Sequence, residues 1–422
     1  MLKHHRAAMN LLPTFTDQET VAALGHYLER SLNFRPNPVG RIIPDGLNIG
    51  LLATLDRVVR LGLETSFSPF VIRHGMRPGW VTEHDAYGRR LKVRVGSYGR
   101  TAAVNSFYPV TQNLGDLLMC IRGSSTLLDA SNAAAGQLAH APHIRLLLDV
   151  FFRHPICNCL GSGIGKPVDD GRLRAEVYND FVAQFRQIIV SSTLLRQELH
   201  NWNLGSRENV ANLSAYLNYL FAKHGSLTAL HLRLFHANER ANLITSPVEA
   251  QIQDLQMLRA CRTRFFDRMR RKPALFTDDP GYVWAILPSL EGGYDLHLTL
   301  LFDTIALQKV LDDKRVEAEQ FGTVLQRHAD QVGMYWVDVA THGQGSYLCG
   351  DRTPTLYGPD WVHGEVRASD AKREKLAETL GYLAMRRALV RLKNEPQGEY
   401  FGMRERKARH PRWSARGGAK AG

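Results

Sequence analysis

The stretch Tyr294-Asp295-Leu296-His297-Leu298-Thr299-Leu300-Leu301-Phe302 alternates polar and apolar residues with a period of two, the pattern of a β-strand. Leu296, Leu298 and Leu300 fall on one face, and Asp295, His297 and Thr299 on the other. The leucine face anchors the strand in a core. The polar face presents a carboxylate and an imidazole about 7 Å apart, near enough to converge on one divalent ion. The alternative is a half-buried strand whose solvent face happens to carry polar side chains.

Working outward, residues 281–287 form a second strand-like run, and Glu291-Gly292-Gly293 supplies the turn that makes the two a β-hairpin. A strand at 229–235 precedes it, joined by a helix at 251–271. A helix at 313–328, a strand at 333–340, a glycine-rich loop to 359 and a long helix at 369–393 follow. This order predicts an α+β fold, an antiparallel sheet with helices packed on one face. Residues 1–200 read as a separate, mixed or mainly helical module. Helical patterns lie at 17–33, 47–63, 115–141 and 172–201, with a strand-like run at 89–95. The expected division is therefore 1–200, 201–405 and a basic tail, 406–422.

At 422 residues, 44% hydrophobic and 22% charged, the composition is that of a globular protein. The first residues lack an apolar signal segment and no apolar run is long enough to span a bilayer, so a cytosolic protein without a membrane partner is expected. Five scattered cysteines argue for reduced thiols. The net charge of +12 points to a polyanion, with nucleic acid ahead of a membrane surface. Much of the excess lies at the C-terminus, where Arg404, Arg406 and Lys407 begin a run of cations that includes Trp413. Such a segment neutralises phosphates and can stack a base, or it simply solubilises the chain.

The helix at 369–393 has its apolar stripe at Leu376, Leu380, Leu383 and Val390. Tyr382 lies off that stripe, in one sector with Lys375, Arg386 and Lys393. Cations lower a phenol's pKa and hold a phosphate, so Tyr382 is a candidate nucleophile for phosphoryl transfer, assisted by a metal. The alternative is an ordinary boundary tyrosine beside solvated basic residues.

The 281–302 hairpin, Gly343-Gln344-Gly345-Ser346-Tyr347, Gly381-Tyr382-Leu383-Ala384-Met385 and Gly398-Glu399-Tyr400-Phe401-Gly402 occur in an order that resembles the landmarks of the filamentous-phage (inovirus) gene-II type replication proteins. These are relatives of the rolling-circle initiators of the histidine-hydrophobic-histidine endonuclease superfamily. The resemblance covers roughly residues 205–405. It implies a nickase acting on single-stranded or origin DNA: a metal held by the histidine strand, and a tyrosine that attacks the phosphate, leaving a 5′-phosphotyrosine and a free 3′-hydroxyl.

By position, Asp295 and His297 stand where the family has its two metal-strand histidines. Tyr382 stands at the tyrosine of the family's Tyr-Leu-x-Lys helix. Two departures matter. Asp295 replaces the first histidine and favours a harder ion, Mg²⁺ or Mn²⁺. Met385 replaces the lysine, so its charge falls to Arg386 or Lys393. A catalytically degenerate DNA-binding relative therefore stands beside the nickase as a second expectation, and a metal-dependent RNA phosphodiesterase as a third. In the first strand, His231 and Arg233 share a face and could contact the DNA backbone, or form an ordinary surface face.

Two other signals carry less. Gly161-Ser162-Gly163-Ile164-Gly165-Lys166-Pro167 has its last glycine out of register for a phosphate loop and Pro167 where a hydroxyl should bind Mg²⁺. His154, Cys157 and Cys159 have no second pair at zinc-finger spacing and read as a buried structural cluster.

Overall fold

The computed structural model describes residues 34–36 and 42–44, most of 55–84, 88–108, 121–122, and 138–404 apart from 160–162, 242–245, 290–292, 353–360 and positions 386, 388, 389 and 394. The expected helix at 17–33, most of that at 115–141 and the tail at 406–422 lie outside the described residues. Within 47–63, the described positions from 55 onward are helical.

β1 (Phe34–Pro36) pairs with β2 (Ile42–Pro44), and β3 (Phe70–His84) with β4 (Arg90–Val104), a hairpin of 15 residues per strand. β5 (Leu138–His140) leads into α1 (Pro142–Arg153), α2 (Arg174–Ser191) and α3 (Thr193–His224). Then come β6 (Ser226–Phe235), α4 (Val248–Met269), the short α5 (Pro273–Phe276), β7 (Gly281–Ser289) and β8 (Gly293–Asp303). The chain continues through α6 (Thr304–Phe321), α7 (His328–Tyr335), β9 (Ser346–Cys349), β10 (Gly364–Arg367), α8 (Lys372–Met385), β11 (Val390–Leu392) and β12 (Phe401–Met403).

The hairpin expected from the alternating stretch forms, β7 running antiparallel to β8 with Leu287 opposite Asp295 and Ala285 opposite His297. It lies inside a six-stranded antiparallel sheet of order β10-β6-β8-β7-β12. The far edge of β6 is shared: its first residues pair with β10 and its last with β9. The chain is thus α+β with an antiparallel sheet, as expected.

Helices cover both faces of that sheet, not one. On the leucine face Phe266 of α4 stacks on Tyr282 at 4.2 Å, Arg262 lies 4.0 Å over the Trp284 ring, and Gly333 of α7 lies flat on Tyr347. Phe265, Phe276 and Trp336 fill the space between, with ring centroids 5.5–5.8 Å apart. On the opposite face α3 closes down where Gly281 leaves room for Leu220 and Tyr216, and α8 packs on α3. β8 is consequently buried on both faces except at its last residue.

Four elements depart from expectation, the first being the helix expected at 313–328, which runs over Thr304–Phe321. The boundary near 200 falls inside α3, a continuous 32-residue helix capped by the Ser192 hydroxyl and ended by Gly225 at φ +69. β11 also returns to pair with β5, so the 201–405 segment and its predecessor share one hydrophobic core. Residues 333–340, expected as a strand, are α7 followed by a π-turn over Trp336–Ala340. Their buried positions, Ala329, Val332, Gly333, Trp336 and Ala340, follow helical spacing. The expected 369–393 helix stops at Met385, so Val390 and Lys393 lie beyond it.

Candidate functional site on the polar sheet face

β8 directs Asp295, His297 and Thr299 to the face opposite its leucines, and β6 brings Arg233 opposite His297 and His231 opposite Thr299. Because α3 and the residues preceding β10 close over this face, these side chains are 1–8% exposed. The polar layer is therefore interior, and each group needs a partner.

Asp295 takes its partners from two arginines. The Arg233 Nε donates to Oδ2 at 2.6 Å, its Nη2 reaches the same oxygen, and the Arg240 Nη1 binds Oδ1. Both guanidiniums lie over the Phe235 ring, at 5.1 and 4.6 Å from its centroid. The carboxylate is thereby held between two guanidiniums in a water-poor setting by charge-assisted hydrogen bonds.

His231 is neutral. Its Nε2 lies 2.8 Å from the Val362 carbonyl, which only accepts, so this nitrogen carries the proton; Nδ1 then accepts from the Thr299 hydroxyl at 2.7 Å. Burial pushes its pKa down to about 3, with the charge of His363 adding to the effect. Trp361 and His363 stand edge-on to the ring at 5.1 and 5.0 Å. His231 and Arg233, expected as backbone contacts on an open strand face, are instead structural groups inside the protein, because Trp361, Val362 and His363 enclose His231 and Asp295 holds Arg233.

The divalent ion implied by the resemblance does not fit this arrangement. Both Asp295 oxygens already receive guanidinium donors, and among the described residues no three His, Cys, Asp or Glu side chains group as ligands. The two guanidiniums engage the carboxylate oxygens that an ion would need.

Tyr382 is 1% exposed and belongs to the interior, not to a cationic flank. The reason is the course of α8. Its first turn is solvated, leaving Lys375 exposed, whereas Tyr382 through Met385 in its last turn are all buried. Lys393 is exposed beyond the helix, and Arg386 lies outside the described residues. Arg404 bonds the Pro280 carbonyl at 2.7 Å and pairs with Asp279, so it is part of the fold; Arg406 and Lys407 are outside the described residues. His154 accepts from the Ile156 amide at 3.1 Å beside buried Cys159, a structural role as expected.

Sequence reasoning missed Arg240 altogether. It sits in the connection after β6, 55 residues before Asp295, and no periodicity links the two. The one available signal was compositional, since a buried-strand acid requires a cation from elsewhere. No family model, curated protein or solved structure matches this chain.

Proposed function

We propose that this chain is a DNA-binding protein built on the fold of the phage replication initiators, a ferredoxin-like relative in which a guanidinium pair stands where nickases hold a metal. The observation that carries the reading is the clasp of Arg233 and Arg240 on Asp295, which commits the metal strand to structure. Tyr382, buried to 1%, and Met385, in place of the family's lysine, argue in the same direction, because an attacking phenol needs access to phosphate and a nearby cation. Nicking would require Asp295 to give up both guanidiniums before it could bind an ion. DNA as partner rests on the +12 net charge.

The test is binding of a labelled single-stranded oligonucleotide across a salt series. Counterion release predicts log affinity falling with log salt by about 0.7 per phosphate contact, and a flatter slope after deletion of residues 406–422. Affinity indifferent to salt, or no binding, contradicts the reading.

A further inference from the structure

Residues 259–272 of α4 and the turn after it carry seven cations against a single carboxylate, Asp267. Three of the cations are committed inward. Arg259 lies 4.9 Å over the Tyr400 ring, Arg262 lies over Trp284, and Arg264 donates to the Ala340 carbonyl. The other four, Arg268, Arg270, Arg271 and Lys272, are exposed, and among the described residues no carboxylate lies within ion-pair distance of any of them.

Helical spacing gathers part of this charge. Arg264, Arg268 and Arg271, at i, i+4 and i+7, line one open groove of about 550 Å³ together with Ala260, Thr263 and Asp267. Arg264 and Arg268 lie one turn apart on α4, and Arg271 follows in the turn after it. Tyr335 of α7 stands beside them: burial raises its hydroxyl pKa, and the charges of Arg268 and Arg271 oppose the rise. Cations in a last helical turn complement the macrodipole. That accounts for one or two of them, while like charges three and four residues apart repel, and in the groove only Asp267 stands against them. A polyanion laid along the groove would offset the excess.

We propose that this groove seats the phosphate backbone of single-stranded DNA, with Arg268 and Arg271, the groove cations not committed inward, contacting phosphates. The proposal rests on the DNA-binding reading above and assigns it a place on the leucine-face helices, remote in role from the Asp295 clasp. Bidentate guanidinium contacts suit phosphate oxygens, and Asp267, at the same groove, opposes them.

The experiment is fluorescence anisotropy of a labelled oligothymidylate with the full chain at 0.1 M salt. Removing two single-strand contacts, as Arg268→Gln with Arg271→Gln, weakens binding about 25-fold and lowers the salt slope by about 1.4, at roughly 0.7 log units per contact. Asp267→Asn tightens binding. Lys309→Gln with Arg315→Gln, an equal charge removal from exposed positions on α6, changes it by less than about 3-fold, the effect of net charge alone. A groove variant that binds no worse than this control overturns the groove while leaving the DNA-binding reading intact. A wild-type chain that binds no DNA overturns both.

Discussion

Replacing Asp295 by asparagine removes the charge that two buried guanidiniums share while keeping the side chain's shape. The Arg233 and Arg240 side chains are 9% and 13% exposed and the Asp295 side chain 2%, so water cannot take over the lost interaction. Breaking a buried pair by removing one partner costs about 3–5 kcal/mol, and here two cations are stranded by one change. That is a fifth or more of the ~5–15 kcal/mol that holds an ordinary domain together. Guanidinium-induced unfolding followed by tryptophan fluorescence reads the loss, since Trp284, Trp336 and Trp361 are all buried around the sheet. Two comparisons calibrate it. Glu198→Gln, which breaks the half-exposed pair with Arg145 (52% and 47% exposed), costs about 1 kcal/mol or less. Combining Asp295→Leu with Arg233→Met and Arg240→Met recovers most of the loss, because an apolar replacement of a whole buried ion cluster is close to neutral. An Asp295→Asn protein less than about 1 kcal/mol weaker than wild type refutes the clasp as the organiser of this face.

Acid should unfold the protein through His231. Its folded pKa, about 3, lies below the ordinary value of 6.5, so its contribution to stability is complete above pH 6.5 and is lost as pH falls toward 3; one such proton gives a slope of about 1.4 kcal/mol per pH unit. Denaturation midpoints at successive pH values should show that slope, reduced in His231→Gln; an unchanged profile in the variant would locate the acid sensitivity elsewhere. Gly333→Ala should destabilise by about 1–2 kcal/mol in thermal melts, although alanine is the better helix former by about 1 kcal/mol. A methyl at 333 would run into the Tyr347 ring, and a variant as stable as wild type would mean that α7 can lift off β9 freely.

The hairpin was legible because its information is local: alternate leucines fix which way β8 faces, and Gly292-Gly293 marks where the chain reverses. The sheet's second covering was not. The same alternation that reads as polar-out also fits a polar layer buried under α3, and only contacts such as Gly281 against Leu220 distinguish the two. Residues 333–340 misled for the opposite reason. The β-branched alternation Val337-Asp338-Val339 imitates a strand, while the stripe that decides the matter runs from Ala329 to Ala340 and starts before it. Tyr382 falls on a cationic flank only for a helix that is uniform along its length. α8 is solvated at one end and interior at the other, so Lys375 and Tyr382 share an angle and not an environment. Asp295 was recognised as a site residue on its own strand, but its partners Arg233 and Arg240 lie 62 and 55 residues away, and only the folded chain brings them to it.

The proposal that the polar sheet face is a structural ion-pair layer, in a chain that would hold DNA without cutting it, has one direct test. The direct measurement is a denaturing gel of the full chain incubated with labelled single-stranded DNA at saturating concentration, with Mg²⁺ or Mn²⁺. The account predicts bound DNA under native conditions and no covalent protein–DNA band after denaturation. A covalent band that requires the metal and disappears in Tyr382→Phe would contradict it.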